Sequence, residues 1–290
     1  MAAKKTVLVT GCSGDGIGEA FSLSFHKRGH RVIATARDTA KAKTLRDLGI
    51  SVLPLDVTSE SSIAEAVRRV DKETECKLDI LINNAGVGYA MPVLDVELDV
   101  ARDVFETNLF GRVAVTKAFA PYLIKSKGTI VNLGSINGVC PTPFSAMYNA
   151  SYAAVHHWSD TLRLEMRPFD VKVILVITGS VKSNFLSNLP VKHLPPDSLY
   201  LPEAKEIEAG VNGEKAGGST DTHVYADRVV SNILKSSPQE HQWVGLLATR
   251  IWMASTFLWA TAWDLLLNDR FGLTSLKENM AAKEREQAQK

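Results

Sequence analysis

The segment Thr10-Gly-Cys-Ser-Gly-Asp-Gly-Ile-Gly18 puts four glycines into nine residues, directly after the β-branched run Thr6–Thr10 and at the start of a helical stretch. Glycines let a backbone come close to a pyrophosphate, and a helix N-terminus offers unpaired N–H groups at the positive end of its dipole. The chemistry this predicts is dinucleotide binding, with Gly11, Ser13, Gly16, Ile17 and Gly18 around the phosphates. Asp15 is unexpected in such a turn, because a carboxylate near phosphate oxygens is repelled unless it points away. The end of the second strand bears on the choice of cofactor. A carboxylate there binds the adenosine ribose hydroxyl of NADH, whereas an arginine accommodates the 2′-phosphate of NADPH. The chain reads Ala36-Arg37-Asp38; Arg37 comes first, which favours NADPH, and Asp38 keeps NADH as the alternative.

These residues need a scaffold, and the hydrophobic pattern supplies one. Nearly continuous apolar runs at Thr6–Thr10, Arg31–Ala36, Ser51–Leu55, Asp79–Asn83, Gly128–Leu133 and Lys172–Ile177 predict strands covered on both faces. Between them lie helical patterns at Gly16–Arg28, Ala40–Leu48, Ser59–Thr74, Leu98–Ser126 and Ser145–Arg167. Gly29 and Gly49 stop the first two, and Thr58-Ser-Glu-Ser61 offers cap chemistry for the third. Alternating strands and crossover helices predict an α/β chain with a Rossmann-type, doubly wound parallel sheet in three αβα layers.

Two regions break the rhythm. Asn184–Thr222 carries Pro190, Pro195, Pro196 and Pro202 with Gly210, Gly213, Gly217 and Gly218, which predicts a long irregular excursion over the sheet edge. Gln242–Leu267 is strongly apolar and contains four of the five tryptophans. The organisation expected is a dinucleotide-binding and catalytic core over 1–183, a substrate loop and last core elements over 184–241, and a helical extension with a charged tail over 242–290. All three belong to one structural domain. Ile251–Trp263 is uncharged for 13 residues, too short to span a bilayer. Trp252, Trp259 and Trp263 recur at spacings that put their rings on one face of a helix. Such a stripe suits a membrane surface, a lid over the pocket or a subunit contact. The first reading places 243–267 against a membrane or lipid droplet.

Composition narrows the function classes. Lys+Arg 33 against Asp+Glu 32 leaves a net charge of +1, so no basic surface points to nucleic acid. Cys12, Cys76 and Cys140 lie far apart without CxxC spacing, which argues against a disulfide framework or zinc site and for a reducing compartment. Met1–Lys5 runs straight into the first strand, which is read as no signal peptide. The expected location is cytoplasmic, at the endoplasmic reticulum or lipid-droplet surface if the extension docks there. His26 and His30 have metal-like spacing, but Gly29 ends the helix between them; the sequon Asn149-Ala-Ser151 lies inside a helix; both are discounted.

The Gly11–Gly18 turn, Asp56 after the third strand, Asn83-Asn84-Ala85-Gly86 after the fourth, Asn108, Ser135 after the fifth and Tyr148 resemble, in order and spacing, the short-chain dehydrogenase/reductase family over roughly residues 5–185. Within it the chain is similar to fungal NADPH-dependent 1-acyldihydroxyacetone-phosphate reductases, through the lengthened glycine turn, Thr35-Ala-Arg37, Lys127-Gly-Thr-Ile-Val131 and Ile177-Thr-Gly179. The resemblance implies cofactor contacts from Asp56, Val57, Asn84, Ala85, Gly86, Thr178, Gly179 and Val181. It implies that Ser135 orients the substrate carbonyl, Tyr148 donates the proton and Asn108 holds a water in a proton relay. The implied substrate is a small hydrophobic ketone, lipid-like or polyketide- or terpenoid-like, and the implied assembly a homodimer or homotetramer.

One departure stands out. The family's active site reads Tyr-x-x-x-Lys, and this chain reads Tyr148-Asn-Ala-Ser-Tyr152. The lysine is a cation one helical turn from the tyrosine; it holds the nicotinamide ribose and lowers the phenol's pKa. Its loss is expected to cost on the order of 10²–10⁴ in rate. Tyr152 can replace a hydrogen bond but not a charge, His156 is a further turn away, His157 reads as packing, and no lysine lies nearby. A reductase relying on another cation, an altered variant, or a non-redox acid–base catalyst such as an isomerase, dehydratase or cyclase would each account for this.

Overall fold

All six predicted apolar runs are strands in the computed structural model, which describes residues 4–185, 192–212 and 217–288. They are β1 (Thr6–Val9), β2 (Arg31–Ala36), β3 (Ser51–Pro54), β4 (Ile80–Asn83), β5 (Thr129–Ser135) and β6 (Lys172–Thr178). A further strand, β7 (His241–Val244), pairs with β6 and falls on the boundary expected between the core and the extension. Among the described residues the seven strands form one sheet in the order β3-β2-β1-β4-β5-β6-β7, every pair parallel. The order reverses between β1 and β4, so the crevice beyond their carboxyl ends is where such a sheet takes a ligand.

The crossovers follow the sequence pattern closely. Helix α1 (Ile17–Lys27) ends at Gly29, which takes φ +80° as a left-handed stop. A 3₁₀ turn leads into the short α2 (Lys43–Asp47), and Ser59 caps α3 (Glu60–Thr74) by accepting a hydrogen bond from the Ser62 amide at 3.3 Å. The predicted helix Leu98–Ser126 is three pieces: α4 (Leu98–Phe105), a π-helical turn at Glu106–Phe110, and α5 (Gly111–Ser126). Next comes α6 (Ala146–Met166), within one residue of its expected bounds. The excursion contains α7 (Ala204–Val211), and α8 (Thr222–Ile233) follows it, capped by the Asp221 carboxylate on the His223 and Val224 amides.

Strand alternation splits the core in two. Val7, Val9, Val131 and Val176 pack with Phe21, Phe25, Val229 and Val230 of α1 and α8 on one face. Leu8, Ile130 and Val173 pack with Val70, Phe119, Leu123 and Met166 of α3, α5 and α6 on the other. A third cluster, Tyr89, Met91, Val104, Leu194, Ile207 and Val211, lies beneath the excursion and joins it to the site.

The extension differs from the single stripe expected. Helix α9 (Ala248–Phe257) stops at Leu258, whose backbone is extended at φ −99° and ψ 156°, and α10 (Ala262–Leu267) begins afresh before α11 (Leu273–Ala288). Trp252, Trp259 and Trp263 therefore sit on α9, in the break and on α10, and do not share one helical face. Among the described residues no helix is long and apolar enough to cross a membrane.

Candidate active site

The turn after β1 and the loop after β4 are stitched together. Thr10 Oγ1 accepts hydrogen bonds from the Asn84 and Ala85 amides at 3.0 Å each, and Asn84 Nδ2 donates to the carbonyls of Thr10 (2.8 Å) and Gly11 (3.0 Å). Side chains would not fit here: a Cβ on Gly11, at φ +72°, would lie 2.8 Å from Ala85 Cα, and one on Gly18 2.5 Å from the Gly11 carbonyl oxygen. Gly16 caps α1 without any side-chain hydrogen bond, so the first-turn amides stay available to an anion. Asp15 absorbs the lengthened turn at φ +54°; it is exposed and outside the cavity lining, so its carboxylate is clear of the cradle. Its charge, second to burial, raises the pKa of Glu19 behind it.

A cavity of about 580 Å³ runs from this cradle across the carboxyl ends of the strands. Ser13, Ile17, Val57, Gly86, Thr178, Gly179 and Val181 all line it, as do Ser135, Tyr148 and Tyr152. Arg37 lines the cavity, whereas Asp38 does not; the Asp38 carboxylate is engaged in accepting from the Ala40 amide at 2.9 Å. Burial works against ionisation of Asp56, but the Thr58 amide and hydroxyl bonds, with Arg37 nearby, outweigh it and hold the carboxyl below its ordinary value. On the far side the Gly179 amide donates to the Val244 carbonyl at 2.8 Å, and Thr178 Oγ1 lies 2.7 Å from Tyr225 Oη.

Ser135 ends β5, and Tyr148 and Tyr152 stand one turn apart on α6 with ring centroids 4.8 Å apart and planes at 61°. Burial pushes the Tyr148 phenol well above its ordinary value of 10.0; Tyr152 adds to the shift and the Ser135 hydroxyl opposes it. Tyr148 is thus a neutral phenol beside the Ser135 hydroxyl, and both residues line the cavity. Asn108 is fully buried in the π-helical turn, away from the cavity lining. Its Oδ1 accepts from the Val87 amide (2.8 Å), and its Nδ2 donates to the Val87 carbonyl (3.0 Å) and to Ser151 Oγ (3.1 Å). Ser151 in turn donates to the Tyr148 carbonyl at 2.8 Å, so Asn108 braces the helix that carries the phenol.

Two residues here matter more than the sequence indicated: His156, set aside there on distance, and Arg112, which carried no signal at all. His156 lies closer to the site than helix counting suggested: its Nε2 accepts from the Ser135 amide at 3.3 Å, and a Cβ on Gly134 would lie 2.5 Å from that atom. Burial, helped by the charge of His241, lowers its pKa from 6.5 to about 4, so it is a neutral ring rather than the missing cation. Arg112, on α5, is 1% exposed. It reaches beneath the floor to the carbonyls of Leu133 and Ala85, with its guanidinium carbon 5.4 Å from the Tyr152 ring centroid. Among the described residues no group of three or more His, Cys, Asp or Glu side chains is placed to hold a metal ion.

Known proteins are similar to this chain in sequence and in fold. The short-chain dehydrogenase fogD of Aspergillus ruber is 41% identical over 283 residues, covering 98% of this chain and 99% of its own. An NADPH-dependent 1-acyldihydroxyacetone phosphate reductase of Schizosaccharomyces pombe is 41% identical over 211 residues, 71% of each chain. Among solved structures, a short-chain dehydrogenase from Streptomyces avermitilis shares the fold with a TM-score of 0.76 over 99% of this chain and 98% of its own, at 23% identity. The closed form of a serine dehydrogenase complexed with NADP⁺ aligns with a TM-score of 0.71 at 25% identity, covering 83% of this chain and 95% of its own. With residues 5–193 matching the family profile described as short chain dehydrogenase, the chain belongs to that family.

Proposed function

We propose that this protein is an NADPH-dependent reductase of hydrophobic ketones. The observation that carries the reading is the continuity of one cavity from the glycine cradle and Arg37, past Ser135 and Tyr148, to an end lined by Val87, Tyr89, Ala90, Phe185 and Val211. Arg37 at the adenosine end, with Asp38 engaged elsewhere, supports NADPH over NADH, as does the NADPH-dependent relative from fission yeast. The open cradle at Gly11, Gly16 and Gly18 fits a pyrophosphate.

A bound reduced nicotinamide would supply the hydride that the carbonyl carbon accepts. The chain's own residues do the rest. Ser135 donates a hydrogen bond to the carbonyl oxygen, polarising it, and Tyr148 donates its hydroxyl proton as negative charge builds there. The ketone thus gains one hydride and one proton to become an alcohol, and solvent returns the proton to Tyr148. The apolar far end selects a lipid-like or polyketide- or terpenoid-like substrate.

The test is NADPH oxidation, followed by absorbance, against a panel of hydrophobic ketones for the native chain and Tyr148→Phe. Substrate-dependent oxidation that falls ~10²–10⁴-fold in the variant, with NADPH affinity retained, is the expected result. Tyr152 at the lysine position favours a second reading, a non-redox acid–base catalyst of the same substrate class. Product formed with no NADPH consumed would select it.

We also propose that the extension meets a membrane or lipid-droplet surface. Phe257 (72% exposed), Trp259 (62%) and Leu265 (78%) project from the α9–α10 region, an apolar group more exposed than a folded surface usually leaves.

A further inference from the structure

Arg112 is the largest of the fully buried side chains, and among the described residues no carboxylate pairs with it. Nη1 donates to the Leu133 carbonyl and Nη2 to the Ala85 carbonyl at 3.2 Å, while Nε is buried with no partner. A buried charge without a counter-ion is costly, and two carbonyl dipoles offset only part of that cost. A simple packing residue would not need the charge. What the guanidinium faces is Tyr152: Nη2 lies 3.4 Å from the hydroxyl, and the charge sits over the ring. A Cβ on Gly86, in the cofactor loop, would fall 3.1 Å from Tyr152 Oη, 3.2 Å from Asn108 Oδ1 and 3.3 Å from Arg112 Nη2, so all three converge under one point of the cavity floor.

We propose that Arg112, reaching in from α5, supplies the positive charge that the family's lysine supplies from position 152, with Tyr152 as the hydroxyl that carries its influence to Tyr148 and to the nucleotide ribose. Arg112 is on this view a positioning and polarising residue, and the inference rests on the reductase reading above. Its charge acts in the required sense on Tyr148, favouring the phenolate against burial, and it opposes protonation of His156. The ionisable groups around the pair are Tyr148 and His156 on α6, Tyr225 on α8, and the Asp160–His241 pair behind His156.

Five chains test this: native, Arg112→Met, Arg112→Lys, Tyr152→Lys and the double variant Arg112→Met/Tyr152→Lys. In native protein Tyr152→Lys puts a second cation against the guanidinium, so its melting temperature should fall by several degrees; in the Arg112→Met background the same lysine should cause no fall. Arg112→Met should slow ketone reduction at least ~10-fold and move the alkaline limb of the kcat profile upward by about one pH unit, as loss of a cation beside an acid requires. Arg112→Lys should keep the native limb, and the double variant should recover it. A merely structural arginine would lower kcat and leave the limb in place. NADPH affinity, read from its fluorescence, should weaken several-fold in Arg112→Met and recover in the double variant. Additive effects of the two substitutions on affinity, or a Tyr152→Lys chain that speeds up ~100-fold with unchanged melting temperature, would overturn the proposal. If no ketone is turned over, the reductase reading fails, and the melting and affinity cycles still decide the place of the charge. If Arg112→Met does not fold, Arg112→Lys and Tyr152→Lys decide it alone.

Discussion

The His156 imidazole lies against the end of β5, its Nε2 accepting from the Ser135 amide at 3.3 Å. That bond requires the neutral ring, and burial lowers the folded-state pKa from 6.5 to about 4. Between these values the unfolded chain binds the extra proton and the folded chain does not, so stability falls as pH drops from about 6.5 to about 4. The gap corresponds to at most about 3 kcal/mol. Urea midpoints measured from pH 7 to 4 should fall steeply for the native protein and more gently for His156→Gln. Parallel curves would place the acid sensitivity elsewhere.

Arg37 lines the cavity while the adjacent Asp38 turns away to accept from the Ala40 amide. Arg37→Ala should raise KM for NADPH ~10–100-fold, the worth of a lost charge-assisted bond, and leave KM for NADH nearly unchanged. Asp38→Ala removes the bond to the Ala40 amide and should cost about 1 kcal/mol of stability without changing the cofactor preference. A switch of preference toward NADPH in Asp38→Ala would mean that its carboxylate does face the ribose.

At Gly18 the backbone itself is the constraint. An added methyl would lie 2.5 Å from the Gly11 carbonyl oxygen and 2.7 Å from Asn84 Nδ2, and neither atom is free to move. Gly18→Ala should therefore open the cradle, raising the NADPH dissociation constant at least ~10-fold and lowering stability by about 1–3 kcal/mol. Isothermal titration and thermal melting read the two effects separately.

For the extension, the measurement is flotation with phosphatidylcholine–phosphatidylserine vesicles. Native protein should float, and Phe257→Ser with Trp259→Ser and Leu265→Ser should stay at the bottom with the fold and NADPH affinity intact. A native chain that remains with the soluble fraction would refute the membrane assignment.

Much of this molecule was legible before its structure. Continuous runs such as Val7–Val9 and Ile80–Ile82 read as two-faced strands because burial on both faces removes polar residues from them. The cradle was legible because glycine is the residue a close approach demands. What escaped detection has physical reasons. His241-Gln-Trp-Val244 is a short edge strand with polar residues, so its pattern carries little hydrophobic contrast. Ala204–Val211 hides among prolines and glycines whose turn signals outweigh one short helix. The π-helical turn at Glu106–Phe110 leaves the amphipathic pattern nearly continuous on either side. Leu258 breaks the tryptophan stripe although nothing in its neighbours' propensities marks a stop. Arg112 was one of 33 basic residues, and its importance comes from a contact forty positions away, which no local spacing reveals.

The placement of β1 between β2 and β4 also governs how the chain comes to be folded during synthesis. Val7 pairs with Val32 on one side and with Ile80 on the other. Strand β1 thus keeps one ladder edge bare until more than seventy further residues have emerged, and a parallel ladder cannot be closed by a quick local hairpin. During that interval a β-branched apolar segment has its hydrogen-bonding edge exposed to other nascent chains. Slowing translation after Ile33, or raising expression temperature, should thus reduce soluble yield more than equivalent delays after β4 is complete.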